Sequence, residues 1–176
     1  QNHMLQLLSL VAMEPPALVN AESIRNEIVK VLQSLRPIPS DEVEKYVIRG
    51  QYTASEVKGK KRMAYRDEEG VNPKSRTETF VAMKFFIDNW RWAGIPFYIR
   101  TGKMLPTRVT EIVIHFRPTP HHLFANEKAI QRQQNQLVIR IQPDEGLLLK
   151  FGMKVPGAGF NVQDVNMDFH YSELSN

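Results

Sequence analysis

The chain has no cysteine. That excludes disulfides and thiolate chemistry and fits a reducing, cytoplasmic compartment. It has neither G-x-G-x-x-G nor G-x-x-x-x-G-K-[ST], so the two common glycine-rich phosphate loops are absent. Strand–helix alternation is missing as well, which excludes a doubly wound nucleotide fold. No apolar run is long enough for a bilayer. Residues 4–13 are apolar, but that is about half the length needed, and no signal-peptide pattern appears. There is no basic block with interleaved aromatics. Lys58-Gly59-Lys60-Lys61-Arg62 is soon followed by Asp67-Glu68-Glu69, and the net charge is only +4. The basic run therefore reads as a solvated loop. Neither nucleic acid nor membrane is an expected partner.

What is present suits one compact domain spanning residues 1–176, with 42% apolar and 24% charged residues. Residues 1–13 carry apolar side chains on most of a helical circumference, Leu5, Leu8 and Ala12 on one face and Met4, Leu7 and Val11 beside it. Glu14-Pro15-Pro16 stops that helix. Asn20 is placed to cap a second helix over residues 21–35, with Ile24, Ile28, Val31, Leu32 and Leu35 as its stripe. Residues 46–52 read as a strand with Gly50 as a bulge, and residues 54–76 as a long polar loop. From there the pattern is β-rich: residues 79–87, 97–100, 111–116, 135–142, 146–151 and 165–171. Helices segregated ahead of short strands predict an α+β fold, a large mainly antiparallel sheet with helices packed on one face. The helical pattern is already running at Met4, and residues 172–176 follow a strand without a capping element. The chain therefore reads as a fragment at both ends.

Residues 91–108, R-W-A-G-I-P-F-Y-I-R-T-G-K-M-L-P-T-R, form the centre of interest. Pro96 opens a short apolar strand, and Gly102 is expected to free the turn after it. Arg100, Lys103 and Arg108 follow with no acid among them. Such a loop can hold a phosphate, or it can simply be solvated. His3 has a similar double reading. It is either a general base or a helix-start histidine making a structural hydrogen bond, and no acid lies near it in sequence before Glu14. His121 and His122 are adjacent and would face opposite ways on a strand. With His115 and His170 they make no expected metal site. Trp90 and Trp92 are expected to wedge a turn against the sheet rather than stack on a ligand. Arg140 and Gln142, two apart on one strand, either line a polar pocket or form a solvated face.

The blocks Q-N-H-M-L-Q…A-M-E-P-P, V-I-R-G-Q-Y, T-E-T-F-V-A…I-D-N-W-R-W-A-G-I-P-F-Y-I-R-T-G-K-M-L-P-T-R and L-V-I-R-I-Q-P-D-E-G occur in order over almost the whole chain. Together they resemble the C-terminal part of bacterial-type glucose-6-phosphate dehydrogenase. The resemblance implies an oxidoreductase that oxidises glucose 6-phosphate at C1 to 6-phosphogluconolactone, passing hydride to NADP in the first step of the pentose phosphate pathway. It implies His3 as general base, and Lys103 and Arg108 as ligands of the sugar phosphate. Gln142 and Arg100 are possible further contacts. NADP is expected on an N-terminal dinucleotide-binding domain absent from this sequence, so no cofactor-binding residue is assigned here. Val109 and Val113 stand where members with a second, structural NADP carry basic residues. Homodimers or homotetramers formed through the sheet are implied, and the isolated chain is expected to be inactive. The alternative is a non-catalytic sugar-phosphate-binding or assembly module.

Overall fold

The computed structural model of the chain describes residues 2–57, 59–118, 135–158 and 161–174. They form two compact units, residues 1–105 and 106–176. The α+β class and the antiparallel pairing hold, with the strands distributed over three separate hydrogen-bonded sheets.

In the first unit, α1 (Asn2–Ala12) and α2 (Ala21–Gln33) pack together. The Asn20 side chain accepts a hydrogen bond from Ser23 N at 2.8 Å, satisfying one of the free amides at the start of α2. Beyond α2 the chain zips onto the end of a strand. Leu35 bridges Ile87, Arg36 N donates to Phe86 O at 2.9 Å, and Asp88 N donates to Ser34 O at 2.8 Å. A short helix, α3 (Val43–Tyr46), takes up Tyr46 and leads into β1 (Val47–Gly50). Between β1 and the next long strand lies a small hairpin, β2 (Ser55–Val57) with β3 (Lys60–Arg62), turning through Gly59 at φ 75°. It occupies part of the segment expected to be loop. The segment's charged residues hide it, because both strands are too short to show a period.

The three-stranded sheet has the order β1, β4 (Phe80–Phe86), β5 (Pro96–Gly102). Pro96 does open its strand. Gly50 makes no bulge: Val47 to Gly50 pair without a shift against Met83 to Phe80. The core joins the helices to this sheet. Leu8, Ala12, Val31 and Ile87 are buried, and Leu35, Trp92, Phe97 and Ile99 pack around them. By strand alternation Tyr98 and Arg100 then face away from the helices, and both are exposed.

The second unit is a meander of β6 (Thr110–His115), β7 (Gln136–Gln142), β8 (Gly146–Lys154) and β9 (Val162–His170), antiparallel throughout. β8 and β9 are longer than the sequence pattern shows, running nine pairs from Gly146↔His170 to Lys154↔Val162. Gly146 is required for space. A Cβ there would lie 2.3 Å from the backbone oxygen of Phe169.

Two substitutions test this packing. Ser9 is fully buried on α1, and its hydroxyl has no hydrogen-bond partner among the described residues. Ser9→Ala removes that desolvated group and is expected to stabilise by about 1 kcal/mol, a rise of about 2–4 °C in Tm. Gly146→Ala forces backbone apart and is expected to destabilise by about 1–3 kcal/mol. Thermal denaturation of both variants checks the opposite signs.

Candidate active site

The loop after β5 is shaped by three features that follow from its residues. Gly102 is not in the left-handed region. Its missing side chain matters because a Cβ would come within 2.9 Å of the Phe80 ring and 3.3 Å of Leu105. The reversal falls instead on Met104, at φ 54°. A non-glycine residue there costs about 1–2 kcal/mol, so the surrounding contacts must hold it. One such contact comes from the hairpin, where Arg62 Nη1 donates to Met104 Sδ at 3.7 Å. Between them stands Lys103, whose backbone N–H donates to Thr79 O at 2.8 Å.

The segment beneath this loop is organised by Gln51. Its amide nitrogen donates to the carbonyls of Ser75 (3.0 Å) and Thr77 (2.7 Å), and its amide oxygen accepts from Arg66 Nε at 2.9 Å. Tyr52 adds an edge-on ring contact to Tyr65 at 5.8 Å. Burial and the nearby Glu68 carboxylate raise the Tyr52 phenol above its ordinary pKa. These residues escape sequence reasoning. Gln51 and Thr79 carry no charge and fall at the ends of expected strands, where the pattern gives them no role beyond the ladder, and only their place in the quoted blocks marks them.

His3 lies in the first turn of α1 and is exposed. Among the described residues it has neither a hydrogen-bond nor an ion-pair partner, so no carboxylate orients its ring. Its helix nevertheless shares a core with β5, because Leu8 and Ala12 pack with Phe97 and Ile99. Arg100, Lys103, Arg108 and Gln142 are all exposed, and their side chains have no partner among the described residues. Arg36, Arg91 and Arg140, by contrast, each hold a carboxylate. Arg25, Arg49, Lys60 and Lys61 have no partner among the described residues either, so freedom alone does not mark a site. Lys103 belongs to the first unit, Arg108 and Gln142 to the second.

Trp92 behaves as expected and Trp90 does not. Trp92 is half-buried, donates from Nε1 to Ala12 O at 2.9 Å and meets the Phe97 ring edge-on at 5.2 Å. Trp90 is fully exposed, two residues away on the other side of the turn, and wedges nothing. Lys58, His121 and His122 lie outside the described residues. His115 is within 3.3 Å of the Gln136 amide, and His170 lies beside the separate Arg140–Asp168 pair.

The family described as glucose-6-phosphate dehydrogenase, C-terminal domain, has a model that matches residues 1–176. The chain belongs to that family. It is 54% identical over 175 residues to a glucose-6-phosphate 1-dehydrogenase of Aggregatibacter actinomycetemcomitans, covering 99% of this chain and 35% of the relative. The Bacillus subtilis (strain 168) enzyme of that name is 51% identical over 170 residues, with 96% and 34% covered. A solved glucose-6-phosphate dehydrogenase in complex with its substrate glucose-6-phosphate superposes with a TM-score of 0.83 at 40% identity, covering 98% of this chain and 34% of that one. The chain thus spans about a third of the length of these relatives.

Within this dehydrogenase domain, Arg140 does not read as an open pocket residue. Its guanidinium forks onto Asp168, with Nη1–Oδ1 at 2.7 Å and Nη2–Oδ2 at 2.9 Å, reaching across β8. His170 Nε2 sits 3.3 Å from both Arg140 Nη1 and Asp168 Oδ1. A register shift between Thr110 and Glu111 leaves Ile141 unpaired on β7, so Arg140 and Gln142 cannot be assigned to one side by counting. The hydrogen bonds from Arg140 hold the Asp168 carboxyl below its ordinary 3.8. Such a group supports the fold above the unfolded value and loses that support as pH falls through the folded one. The Tm gap between the wild type and Asp168→Asn is therefore expected to be full above about pH 5 and to close below pH 3.8. Melting curves across that range check it.

Proposed function

We propose that this chain is the substrate-binding part of an NADP-dependent glucose-6-phosphate dehydrogenase. The observation that carries the reading is the family match over residues 1–176, supported by the fold shared with a substrate complex. In this proposal the neutral His3 imidazole takes the proton from the C1 hydroxyl, and C1 becomes a lactone carbonyl as hydride leaves. Lys103 offers a mobile point charge and Arg108 a planar fork to the substrate's phosphate. Arg100 and Gln142 are further contacts to the sugar phosphate. The product is 6-phosphogluconolactone, which enters the pentose phosphate pathway.

Among the described residues every strand pair is antiparallel, and no glycine-rich loop opens a helix. We place NADP on a dinucleotide-binding domain outside this sequence. The carboxylate that would fix the His3 ring belongs there too, since none among the described residues does so. A homo-oligomer built through the sheet completes the proposal.

Three outcomes are expected. In the full-length enzyme, His3→Asn lowers kcat by about a hundredfold or more with KM little changed. Lys103→Ala raises KM for glucose 6-phosphate by about tenfold or more, the cost of one charged hydrogen bond to phosphate. The isolated 176-residue chain shows no NADP reduction with glucose 6-phosphate. Steady-state kinetics measured by NADPH absorbance check all three, and an unchanged kcat in His3→Asn sinks the assignment of the base.

A further inference from the structure

The ladder of the three-stranded sheet ends at Phe80, which pairs with Gly50 on β1 and Gly102 on β5. One residue earlier Thr79 takes over, and its three polar groups go to three places. Its N–H donates to Gly50 O at 2.9 Å, its Oγ1 accepts the Tyr52 N–H at 2.9 Å, and its carbonyl accepts the Lys103 N–H at 2.8 Å. Both outer strands are thus tied to the central one where regular pairing stops. The bond to Thr79 is the one hydrogen bond that Lys103 makes among the described residues. Gly102 before it packs close to Phe80 and Leu105, and Met104 after it is left-handed. Threonine suits the task because its branched Cβ restricts χ1, so Oγ1 is held in place for the Tyr52 amide.

We propose that Thr79 is a positioning residue for Lys103. The Oγ1 bond to Tyr52 fixes the Thr79 carbonyl, and that carbonyl fixes the backbone from which the Lys103 ammonium reaches the substrate's phosphate. The inference rests on the reading of Lys103 as a phosphate ligand given above. A hydroxyl that merely ties off a strand end affects stability alone. A positioning residue affects recognition of the phosphate, and only through Lys103.

The test is a double-mutant cycle in the full-length enzyme, read with glucose 6-phosphate and with unphosphorylated glucose as substrates. Thr79→Val is expected to raise KM for glucose 6-phosphate by about three- to tenfold, with kcat within about twofold and kcat/KM for glucose unchanged. Thr79→Ser, which keeps the oxygen but not the branch that holds it, is expected to bring KM back to within about twofold of wild type. In a Lys103→Ala background, Thr79→Val produces no further change, because the residue through which it acts is gone. If Thr79→Val weakens both substrates equally, or adds its full effect to Lys103→Ala, the role is structural and the proposal is overturned. If Lys103→Ala leaves the preference for glucose 6-phosphate over glucose intact, the reading of Lys103 falls and this inference falls with it. A silent Thr79→Val beside an impaired Lys103→Ala overturns the inference alone. Thr79→Ala, which removes the same oxygen without the bulk of valine, keeps the test decisive even if the valine variant fails to fold: a raised KM for glucose 6-phosphate that the serine variant does not show supports the role of the oxygen, and a wild-type KM in the alanine variant overturns it.

Discussion

The indole of Trp92 is the joint on which the first unit depends. It joins elements 80 positions apart in the chain, donating to the carbonyl of Ala12 while its ring lies against Phe97. Ala12 ends α1, so its carbonyl is one of the four that a helix leaves unpaired. The bond fixes the end of the helix whose other end carries His3. Phe97 lies in the strand that delivers Lys103. Burial of Leu8, Ala12, Val31 and Ile87 around this joint provides most of the holding energy, at about 1.5–3 kcal/mol for each fully buried large aliphatic side chain. The nearby Arg91–Glu14 pair, at 2.7 Å, adds little because both partners are more than half exposed.

The parts legible in the sequence are those where local chemistry and burial agree. Asn20 caps α2 because a short side-chain oxygen is what a helix start lacks. Pro96 begins β5 because proline can begin a strand without breaking a ladder. The parts that stayed hidden depend on distant partners. Nothing local distinguishes Trp90 from Trp92; only the position of Ala12 does. Gly102 and Gly146 look like turn glycines, yet their need is clearance from Phe80 and Phe169 across a strand pair. The β2–β3 hairpin is built from charged residues whose pairing serves the backbone rather than the core.

The same limit applies to the candidate site. The sequence marks His3, Arg100, Lys103, Arg108 and Gln142 through resemblance, and charge pattern alone leaves the cationic loop open to a solvated reading. The structure adds which cations are already committed. Arg36 and Arg140 each fork onto a carboxylate, and those hydrogen bonds hold Asp88 and Asp168 below their ordinary pKa. A cation so engaged would have to break two good bonds before accepting an anion. Lys103 and Arg108 have no such bond to break among the described residues.

An uncommitted lysine raises a different difficulty, since a free ammonium on a four-carbon stem samples many positions and ordering it costs about 1.5–2 kcal/mol. Holding the ammonium itself with a carboxylate would remove that freedom but leave a competitor for the phosphate that Lys103 is proposed to bind. Anchoring the backbone avoids the conflict. The Thr79–Lys103 bond, the packed Gly102 and the left-handed Met104 narrow where the stem begins, while no described residue engages the ammonium. The conformational cost of Met104 then has a function in the architecture. It reverses the chain directly after Lys103, whose backbone the Thr79 bond holds.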